Sequence, residues 1–280
     1  MPLYLLLVKQ VPALEFIAWR VIFTLPLCLA MLAATRGWGE IGAALRNRRV
    51  MLTLLGSATM VAVNWYLYVW AINTGHIYAA SLGYYILPLA MMLLGLVVLG
   101  ERLTRRQWWA VALAGVGVAV LAVGALTTMW LSLAMAVTFG IYGLLRKTVN
   151  AGPLAGLTIE TLILVPVAAA LAGWYAAKPG GGALGQGWGL ALAVAWSGPM
   201  TAIPLMLFAT AARRMPYSVM GFLQFISPTI VFVLGLTVFG EALRPAQLAC
   251  YVAIWAAATL FVWELVRGRK PPLADEPLPT

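Results

Sequence analysis

The sequence has few of the residues on which a soluble enzyme depends. Only 9% of its 280 residues are charged, against about 25% in a typical soluble domain, and it contains a single histidine. Its two cysteines, Cys28 and Cys250, each lie inside an apolar run, without a CxxC or Cys/His spacing. We therefore expect no metal and no cofactor, and we interpret both cysteines as small buried hydrophobic residues.

Apolar residues are abundant instead. Hydrophobic side chains make up 63% of the chain, and the mean hydropathy is +0.95. A globule of 30.1 kDa has too little polar surface to cover so much apolar side chain. The composition therefore excludes an ordinary soluble enzyme and a disordered chain, and it indicates that the lipid bilayer is the solvent.

Nine runs are long and apolar enough to be helices that cross the bilayer, which takes about 20 residues each. They are predicted at residues 14–34, 51–72, 80–99, 108–123, 129–145, 156–176, 188–211, 217–239 and 247–266. Residues 1–8 are also apolar but too few to cross. The sequence predicts an all-α integral membrane protein that crosses the bilayer many times.

Basic residues lie in alternate gaps between these runs. Three of them, Lys9, Lys178 and Arg244, fall on one side of the predicted membrane, and 14 fall on the other. By the positive-inside rule the side with 14 is cytoplasmic, and the C-terminus lies there too. These 14 are Arg36, Arg46, Arg48, Arg49, Arg102, Arg105, Arg106, Arg146, Lys147, Arg213, Arg214, Arg267, Arg269 and Lys270. The net charge of +10 is therefore interpreted as an orientation signal, and no nucleic-acid partner is expected.

The chain matches itself when residue numbers are offset by 140. Pro88 aligns with Pro228, and Gly100-Glu101 aligns with Gly240-Glu241, without a gap. Gly and Pro matches are rarer by chance than matches between leucines, so the repeat is interpreted as real. Five predicted helices separate the two copies, so they cross the membrane in opposite senses. Inverted repeats of this kind are typical of secondary transporters.

The repeat divides the chain into two five-helix halves, residues 1–125 and 126–268. A proline-rich segment, 269–280, follows, and we expect it to be a disordered cytoplasmic tail. Subtracting 140 from the helix at 129–145 maps it to positions −11 to 5, so the first of ten helices is truncated. A lipid-exposed half-helix leaves backbone groups unpaired, so we expect a wrongly assigned start rather than a missing half-helix.

Several motifs together resemble a known family. One set of motifs lies between residues 64 and 102: Asn64-Trp65, Trp70-Ala71, Asn73, His76, Ala80-Ser81-Leu82-Gly83-Tyr84, Pro88-Leu89 and Gly100-Glu101-Arg102. This set resembles the RarD group of EamA-type transporters, in the drug/metabolite transporter superfamily. Further matches are Pro12, Glu15, Arg20, Tyr142-Gly143 with Arg146-Lys147, Glu160-Thr161, Pro204-Leu205, and Gly221-Phe222 with Gln224 and Pro228.

The resemblance covers nearly the whole chain. It implies the ten-helix EamA-type fold in two five-helix halves, both termini in the cytoplasm, and export of small molecules across the bacterial inner membrane. The group is named for a link to chloramphenicol sensitivity. It often has Glu at the position of Ala79 and Asn at that of Leu87, so no proton-coupling or polar role is carried over to these two residues.

Two charged residues inside predicted spans, Arg20 and Glu160, differ in number by 140. At a rise of 1.5 Å per residue, each lies roughly 9 Å or less from the start of its predicted helix. The two helices start at opposite faces of the membrane. Intramembrane charges are costly and face a cavity or a partner. Two interpretations stay open: snorkelling or a structural ion pair, and the lining of a transport path or gate.

One predicted helix pair is dense in aromatic and amide side chains. Tyrosine hydroxyls and asparagine amides inside a membrane need polar partners, and a substrate cavity supplies them. The alternative interpretation is that these side chains serve only helix–helix packing. Gln224 joins this set because it is the counterpart of Tyr84 in the repeat. The candidate cavity residues are Arg20, Asn64, Trp65, Tyr68, Trp70, Tyr84, Tyr85, Glu160 and Gln224.

Four further residues are candidates for coupling and movement. Glu15 and His76 are possible proton-linked groups, with a solvated helix end and a solvated loop residue as the alternatives. Pro88 and Pro228 fall inside predicted helices, where each removes a backbone hydrogen bond. They are predicted hinges for alternating access, or else they set only the helix shape.

The sequence thus predicts a secondary transporter that exports a small metabolite or drug-like molecule by alternating access. No Walker motif is present, so ATP hydrolysis by this chain is not expected. One rival is an intramembrane enzyme, which the lack of HExxH and GxSxG motifs disfavours. The other is a channel or scaffold without active transport. The sequence leaves the substrate, the energy coupling and the oligomeric state open.

Overall fold

The computed structural model describes residues 4, 7–178, 181–238 and 245–267, which form helices joined by short connections. Two short 3-10 helices, Val123–Thr128 and Ala183–Gly185, lie between longer elements. The α-helices are α1 (Ala13–Thr35), α2 (Trp38–Arg46), α3 (Arg48–Asn73), α4 (Ile77–Leu99), α5 (Arg105–Ala122), α6 (Met129–Thr148), α7 (Pro153–Ala176), α8 (Trp188–Ala195), α9 (Ser197–Arg214), α10 (Tyr217–Gln224), α11 (Ile226–Thr237) and α12 (Pro245–Arg267).

The all-α membrane fold predicted from the sequence is confirmed. Within the described ranges, eight helical segments are long and apolar enough to cross a bilayer. They coincide with eight of the nine predicted runs. The ninth run, 108–123, lies in α5, whose 18 residues include the basic pair Arg105 and Arg106 and are less apolar. The predicted tail 269–280, Arg244 and most of residues 1–8 lie outside the described residues.

Two predicted spans of the second half are interrupted, which the sequence did not predict. The first is broken at Trp196, between α8 and α9, and the second at Phe225, between α10 and α11. Pro199 and Pro228 each follow a break by three residues. Because proline has no N–H, the carbonyl four residues earlier loses its helical hydrogen bond. In the first half α4 is continuous through Pro88, so a proline alone does not break the helix.

Helix starts recur at the offset of 140 found in the sequence. Such helices are called equivalent helices below, α8 and α9 together corresponding to α3, and α10 and α11 to α4. The pairs of starts are Ala13 and Pro153, Arg48 and Trp188, Ile77 and Tyr217, and Arg105 and Pro245. The offset read from glycine and proline matches therefore applies to helix boundaries as well.

Equivalent helices α1 and α7 pack against each other in opposite directions. Ala18, near the start of α1, shares a buried cluster with Ala172, near the end of α7. Cys28, near the end of α1, instead packs with Leu157, near the start of α7. The two helices are therefore antiparallel.

The equivalent pairs α4 with α10 and α5 with α12 also pack together. Glu101, just after α4, accepts hydrogen bonds from the backbone N–H groups of Tyr217 and Ser218 at 2.5 and 2.8 Å. The end of α4 thus meets the start of α10. A Cβ at Gly117, in the second half of α5, would lie 3.1 Å from the carbonyl oxygen of Cys250, near the start of α12. These four helices share one buried hydrophobic cluster.

Candidate functional site

A small cavity lies among helices α1, α3, α6, α7 and α9. Its volume is about 20 Å³, which is room for a single water molecule. It is lined by Val21, Thr24, Val61, Trp65, Tyr142, Leu157, Glu160, Thr161, Leu164, Thr201 and Leu205. Most of these residues form four pairs related by the offset of 140: Val21 with Thr161, Thr24 with Leu164, Val61 with Thr201, and Trp65 with Leu205. Equivalent positions of the two halves therefore meet around this cavity.

Arg20 lies over an aromatic ring beside the cavity. Its Nε donates a hydrogen bond to Thr201 Oγ1 at 3.0 Å, and its Cζ lies 4.6 Å from the centroid of Trp65. Tyr68 and Tyr84, whose rings meet edge to face at 6.2 Å, lie near the guanidinium. Tyr84 is 44% exposed, so this group of side chains reaches the surface of the helix bundle. Arg20, Trp65, Tyr68, Tyr84 and Thr201 are called the Arg20 cluster.

The charge of Arg20 has no counterion in the part of the chain that the structure describes. A cation at the centre of a membrane helix costs about 2.5–3.5 kcal/mol on insertion scales. Contact with the face of Trp65 offsets about 0.5–2 kcal/mol of that. Among the described residues the guanidinium thus has an aromatic and a hydroxyl partner but no anionic one.

Glu160 borders the same cavity and has a counterion. Arg146 Nε lies 3.6 Å from Glu160 Oε1, and Ser57 Oγ donates a hydrogen bond to the same oxygen at 2.5 Å. Arg146 and Glu160 are only 1% and 2% exposed. Arg146 Nη2 also donates to the Pro153 carbonyl at 2.9 Å. Ser57, Arg146 and Glu160 are called the Glu160 network, which joins α3, α6 and α7.

Arg146 was predicted on the cytoplasmic side of the membrane, and the structure adds that its side chain is buried. Arg146 lies in the last turn of α6 and turns inward, because Glu160 supplies a counterion and Gly156 leaves space. A Cβ at Gly156 would overlap the Arg146 guanidinium. The adjacent Lys147 instead donates from Nζ to the carbonyl of Ala212, at the end of α9, at 2.8 Å. Arg146 and Lys147 both lie in the last turn of α6, so the count of 14 cations and the predicted orientation are unchanged.

Tyr142 adds polarity to the cavity wall. Its hydroxyl is buried near Glu160 and Arg146 and forms no hydrogen bond within the described residues. Nε and Nη1 of Arg146 also form no hydrogen bond there. Since buried polar groups usually have partners, this wall keeps unused hydrogen-bonding capacity.

The predicted aromatic and amide residues separate into different places. Trp65, Tyr68 and Tyr84 join Arg20. Asn64 is buried between α3 and α6, where its Nδ2 donates to the Met135 carbonyl at 2.8 Å and to a threonine hydroxyl. Asn64 therefore holds two helices together and is not among the residues that line the cavity.

Three more predicted residues lie away from the cavity. The Tyr85 hydroxyl contacts that of Tyr251 inside the core shared by α4 and α12. Trp70 packs against Trp130 at the end of α3, with ring centroids 5.7 Å apart. Gln224 is half-buried at the end of α10 and forms no side-chain hydrogen bond in the described ranges.

Glu15 and His76, the possible proton-linked residues, occupy different environments. Glu15 is only 2% exposed, and its Oε1 accepts hydrogen bonds from the Ala183 N–H at 2.6 Å and from Trp19 Nε1 at 3.2 Å. It is therefore not a solvated helix end. His76 lies in the connection before α4, 2.7 Å from the Thr74 hydroxyl and stacked on the ring of Trp70.

Four residues in these contacts were not singled out from the sequence: Ser57, Tyr142, Arg146 and Thr201. Arg146 and Glu160 carry opposite charges on either side of a short connection, and this pattern indicates a possible pair. A serine or threonine in an apolar helix gives no comparable signal, because its hydroxyl usually bonds to its own helix.

Comparison with known proteins identifies the family. Residues 2–123 match the model of the EamA-like transporter family. Protein RarD of Streptomyces exfoliatus is 42% identical over 267 residues, which cover 95% of this chain and 84% of the relative. The chain belongs to the EamA-like transporter family. The resemblance to the RarD group is thereby confirmed.

Other relatives of this EamA-like transporter agree in name and fold. A Vibrio cholerae protein described as an uncharacterized transporter is 37% identical over 260 residues, covering 93% of this chain and 86% of that protein. A crystal structure of a protein 18% identical matches with a TM-score of 0.70 over 96% of this chain and 93% of its own. At that identity the structural likeness concerns the fold alone.

Proposed function

We propose that this EamA-like transporter is a secondary transporter that exports a small metabolite or drug-like molecule by alternating access. Its two moving halves are residues 1–125 and 126–268, inverted relative to each other. It works in the bacterial inner membrane with its C-terminus in the cytoplasm. The substrate path runs through the cavity that Trp65, Glu160 and Thr201 help to line.

One observation carries this proposal: four equivalent pairs line the cavity. In an inverted repeat, equivalent positions approach each other only near the axis that relates the halves, and the substrate site lies there. The antiparallel packing of α1 on α7 supports the same arrangement, because halves of opposite orientation place equivalent helices in opposite directions. Both observations support a substrate path through this cavity, because such transporters bind substrate between their halves.

The Glu160 network and the Arg20 cluster, which lie around the cavity, support a conformation that is open on one side of the membrane. The Glu160 network is almost fully buried and ties three helices together, whereas the Arg20 cluster includes the partly exposed Tyr84. Arg146 lies near the end of α6, which the positive-inside rule assigns to the cytoplasmic side. We infer that this conformation is closed toward the cytoplasm, and that transport requires the Glu160 network to separate.

Helix breaks give the second half places to bend. The breaks at Trp196 and Phe225 remove helical hydrogen bonds just before Pro199 and Pro228. Segments on either side of such a break rotate at lower cost than a continuous helix. A hinge role is therefore proposed for Pro228, whereas Pro88 lies in an unbroken helix and is assigned a role in shape.

Solute counterflow in proteoliposomes tests the proposed function. Vesicles that contain the purified protein are loaded with an unlabelled solute and diluted into a trace of the labelled form. The panel contains organic acids, amino acids, nucleosides and chloramphenicol. A carrier exchanges the two pools, so we expect transient accumulation of label that saturates with concentration.

A matched pair of variants serves as the control. Thr161→Trp fills the cavity from α7 and should abolish counterflow, whereas Leu162→Trp, at a 44% exposed position of the same helix, should leave it intact. Flux that is linear in concentration and gives no accumulation would favour a channel. The lack of flux for every solute would favour a scaffold, and either result contradicts the proposal.

A further inference from the structure

We propose that the Arg20 cluster binds the anionic group of the transported molecule. The substrates are then organic anions, foremost carboxylates with an aromatic or apolar body. The assignment of this anion as cargo rests on the proposed function; the binding of the anion at Arg20 stands on the geometry of the cluster.

The guanidinium of Arg20 is oriented by the protein but not neutralised. Its Nε is fixed on the Thr201 hydroxyl, and its plane lies near the ring of Trp65. Within the described residues, neither terminal nitrogen of Arg20 forms a hydrogen bond and no carboxylate pairs with it. Two terminal nitrogens held in a fixed orientation match the two oxygens of a carboxylate.

Comparison of Arg20 with its equivalent in the second half, Glu160, shows why the Arg20 charge has no counterion among the described residues. Glu160 is the equivalent of Arg20, and Arg146 neutralises it. The repeat places Arg146 opposite position 6, which holds Leu6 in the sequence. The first half therefore has no ionisable residue at the position equivalent to the counterion, and the anionic group of a substrate takes that role.

Aromatic side chains around Arg20 suit the remainder of such a molecule. Tyr68 and Tyr84 meet edge to face, and Tyr84 has 44% of its surface exposed. Together with Trp65 they provide apolar faces for a ring or chain. Tyrosine hydroxyls near the guanidinium are donors that reinforce binding of a carboxylate.

The acidic residues of this region do not offer an equivalent site for a cation. The Glu160 carboxylate is buried, accepts a hydrogen bond from Ser57 and forms an ion pair with Arg146. The Glu15 carboxylate is buried and bonded to Ala183 and Trp19. An amine would therefore displace existing contacts, whereas an anion meets an unpaired guanidinium.

Binding of matched acids and amides to the purified full-length protein tests this assignment. The probes are phenylacetate and phenylacetamide, benzoate and benzamide, indole-3-acetate and indole-3-acetamide, with phenethylamine as the cation. Binding is followed as a rise in melting temperature with a thiol-reactive dye, since Cys28 and Cys250 are both buried and react on unfolding. At least one acid should bind about tenfold or more tightly than its amide. Equal affinities in all three pairs, or tightest binding of the amine, would overturn the proposal.

Charge variants assign the selectivity to Arg20. Arg20→Gln should abolish the preference for the acid and leave amide binding unchanged, and Arg20→Lys should keep part of the preference. Arg106→Gln, which removes a cation from an exposed pair, is the control and should keep all of it. Thr201→Val keeps the charge but removes the hydroxyl that holds Arg20 Nε, so it should weaken the preference for the acid, and it gives a test even if Arg20→Gln does not fold. An unchanged preference in Arg20→Gln would contradict the proposal.

Counterflow separates this inference from the proposed function. If counterflow of a panel solute is inhibited equally by acids and amides, transport stands and the anion site is wrong. If no solute gives counterflow but acids still bind through Arg20, the anion site stands and the transport proposal fails.

Discussion

Arg20 and Glu160 are the eighth residues of α1 and α7 and occupy equivalent positions of the repeat, yet in the described residues only Glu160 has a counterion. Arg146 neutralises Glu160 and ties three helices together. Arg20 instead contacts the neutral side chains of Thr201 and Trp65. We propose that the same pair of positions serves closure in one half and recognition in the other.

Removal of one member of the buried ion pair should destabilise the protein more than removal of both. Glu160→Leu leaves the Arg146 charge buried and unpaired, at a cost of about 3–5 kcal/mol in the free energy of unfolding. The double variant Arg146→Met with Glu160→Leu leaves no charge and should recover most of that loss. Unfolding in detergent measures all three proteins.

The exposed pair of Arg106 and Glu264 is the control for this cycle. Its atoms are 3.1 Å apart, but the Arg106 side chain is 56% exposed, so Arg106→Ala should cost at most about 1 kcal/mol. A double variant as unstable as the single one would show that the Glu160 network is held by something other than charge pairing.

Gly156 should be intolerant of a side chain. A Cβ there overlaps the Arg146 guanidinium, so Gly156→Ala pushes Arg146 off Glu160 and should lower the melting temperature and the yield of folded protein. Gly173, on the same helix, has open space around it, so Gly173→Ala should have no harmful effect. Equal melting temperatures for the two variants would contradict this account of how Arg146 is accommodated.

Glu101 should stabilise the contact between α4 and α10. It accepts two backbone N–H groups at the start of α10, and helix caps contribute about 0.5–2 kcal/mol. Glu101→Ala should lose that amount, and Glu101→Gln, which keeps one acceptor oxygen, should lose less. If thermal unfolding ranks Glu101→Gln at or below Glu101→Ala, the carboxylate does not act as a cap.

Glu15 should act as a hydrogen-bond acceptor and not as a proton carrier. Glu15→Gln keeps an oxygen for the N–H groups of Ala183 and Trp19, so counterflow and its response to a pH gradient should stay near normal. Glu15→Ala leaves those donors without an acceptor and should reduce folded protein. A Glu15→Gln variant that folds normally but no longer responds to a pH gradient would instead make Glu15 the coupling residue.

Local patterns made the helices and the repeat offset predictable. Long apolar runs fix the spans, and Gly-Glu and proline matches need no tertiary information. The break at Phe225, just before Pro228, was not predicted. Pro88 is the equivalent of Pro228 and lies in a continuous helix, so a proline alone does not predict a break. The outcome depends on the packing around each proline, which a single sequence does not contain.

The site was predictable only in part, for a similar reason. Arg20 and Glu160 stand out because a charge inside an apolar run is rare. Arg146 was predicted only as one of the cations on the cytoplasmic side, because Arg-Lys at a helix end is typical of the membrane interface. Its inward turn depends on Gly156 and Glu160 of the next helix, and that contact appears only once α6 packs on α7.

Substituted-cysteine labelling tests the central claim, that the cavity opens alternately to the two sides of the membrane. In a background with Cys28→Ala and Cys250→Ala, Thr161→Cys places a thiol in the cavity wall, and Leu162→Cys places one at an exposed position of the same helix. A membrane-impermeant thiol reagent is applied to right-side-out and to inverted vesicles. The account predicts that Thr161→Cys reacts from both sides and that a transported solute slows the reaction, while Leu162→Cys reacts from neither. Reaction of Thr161→Cys from one side only, with or without solute, would contradict it.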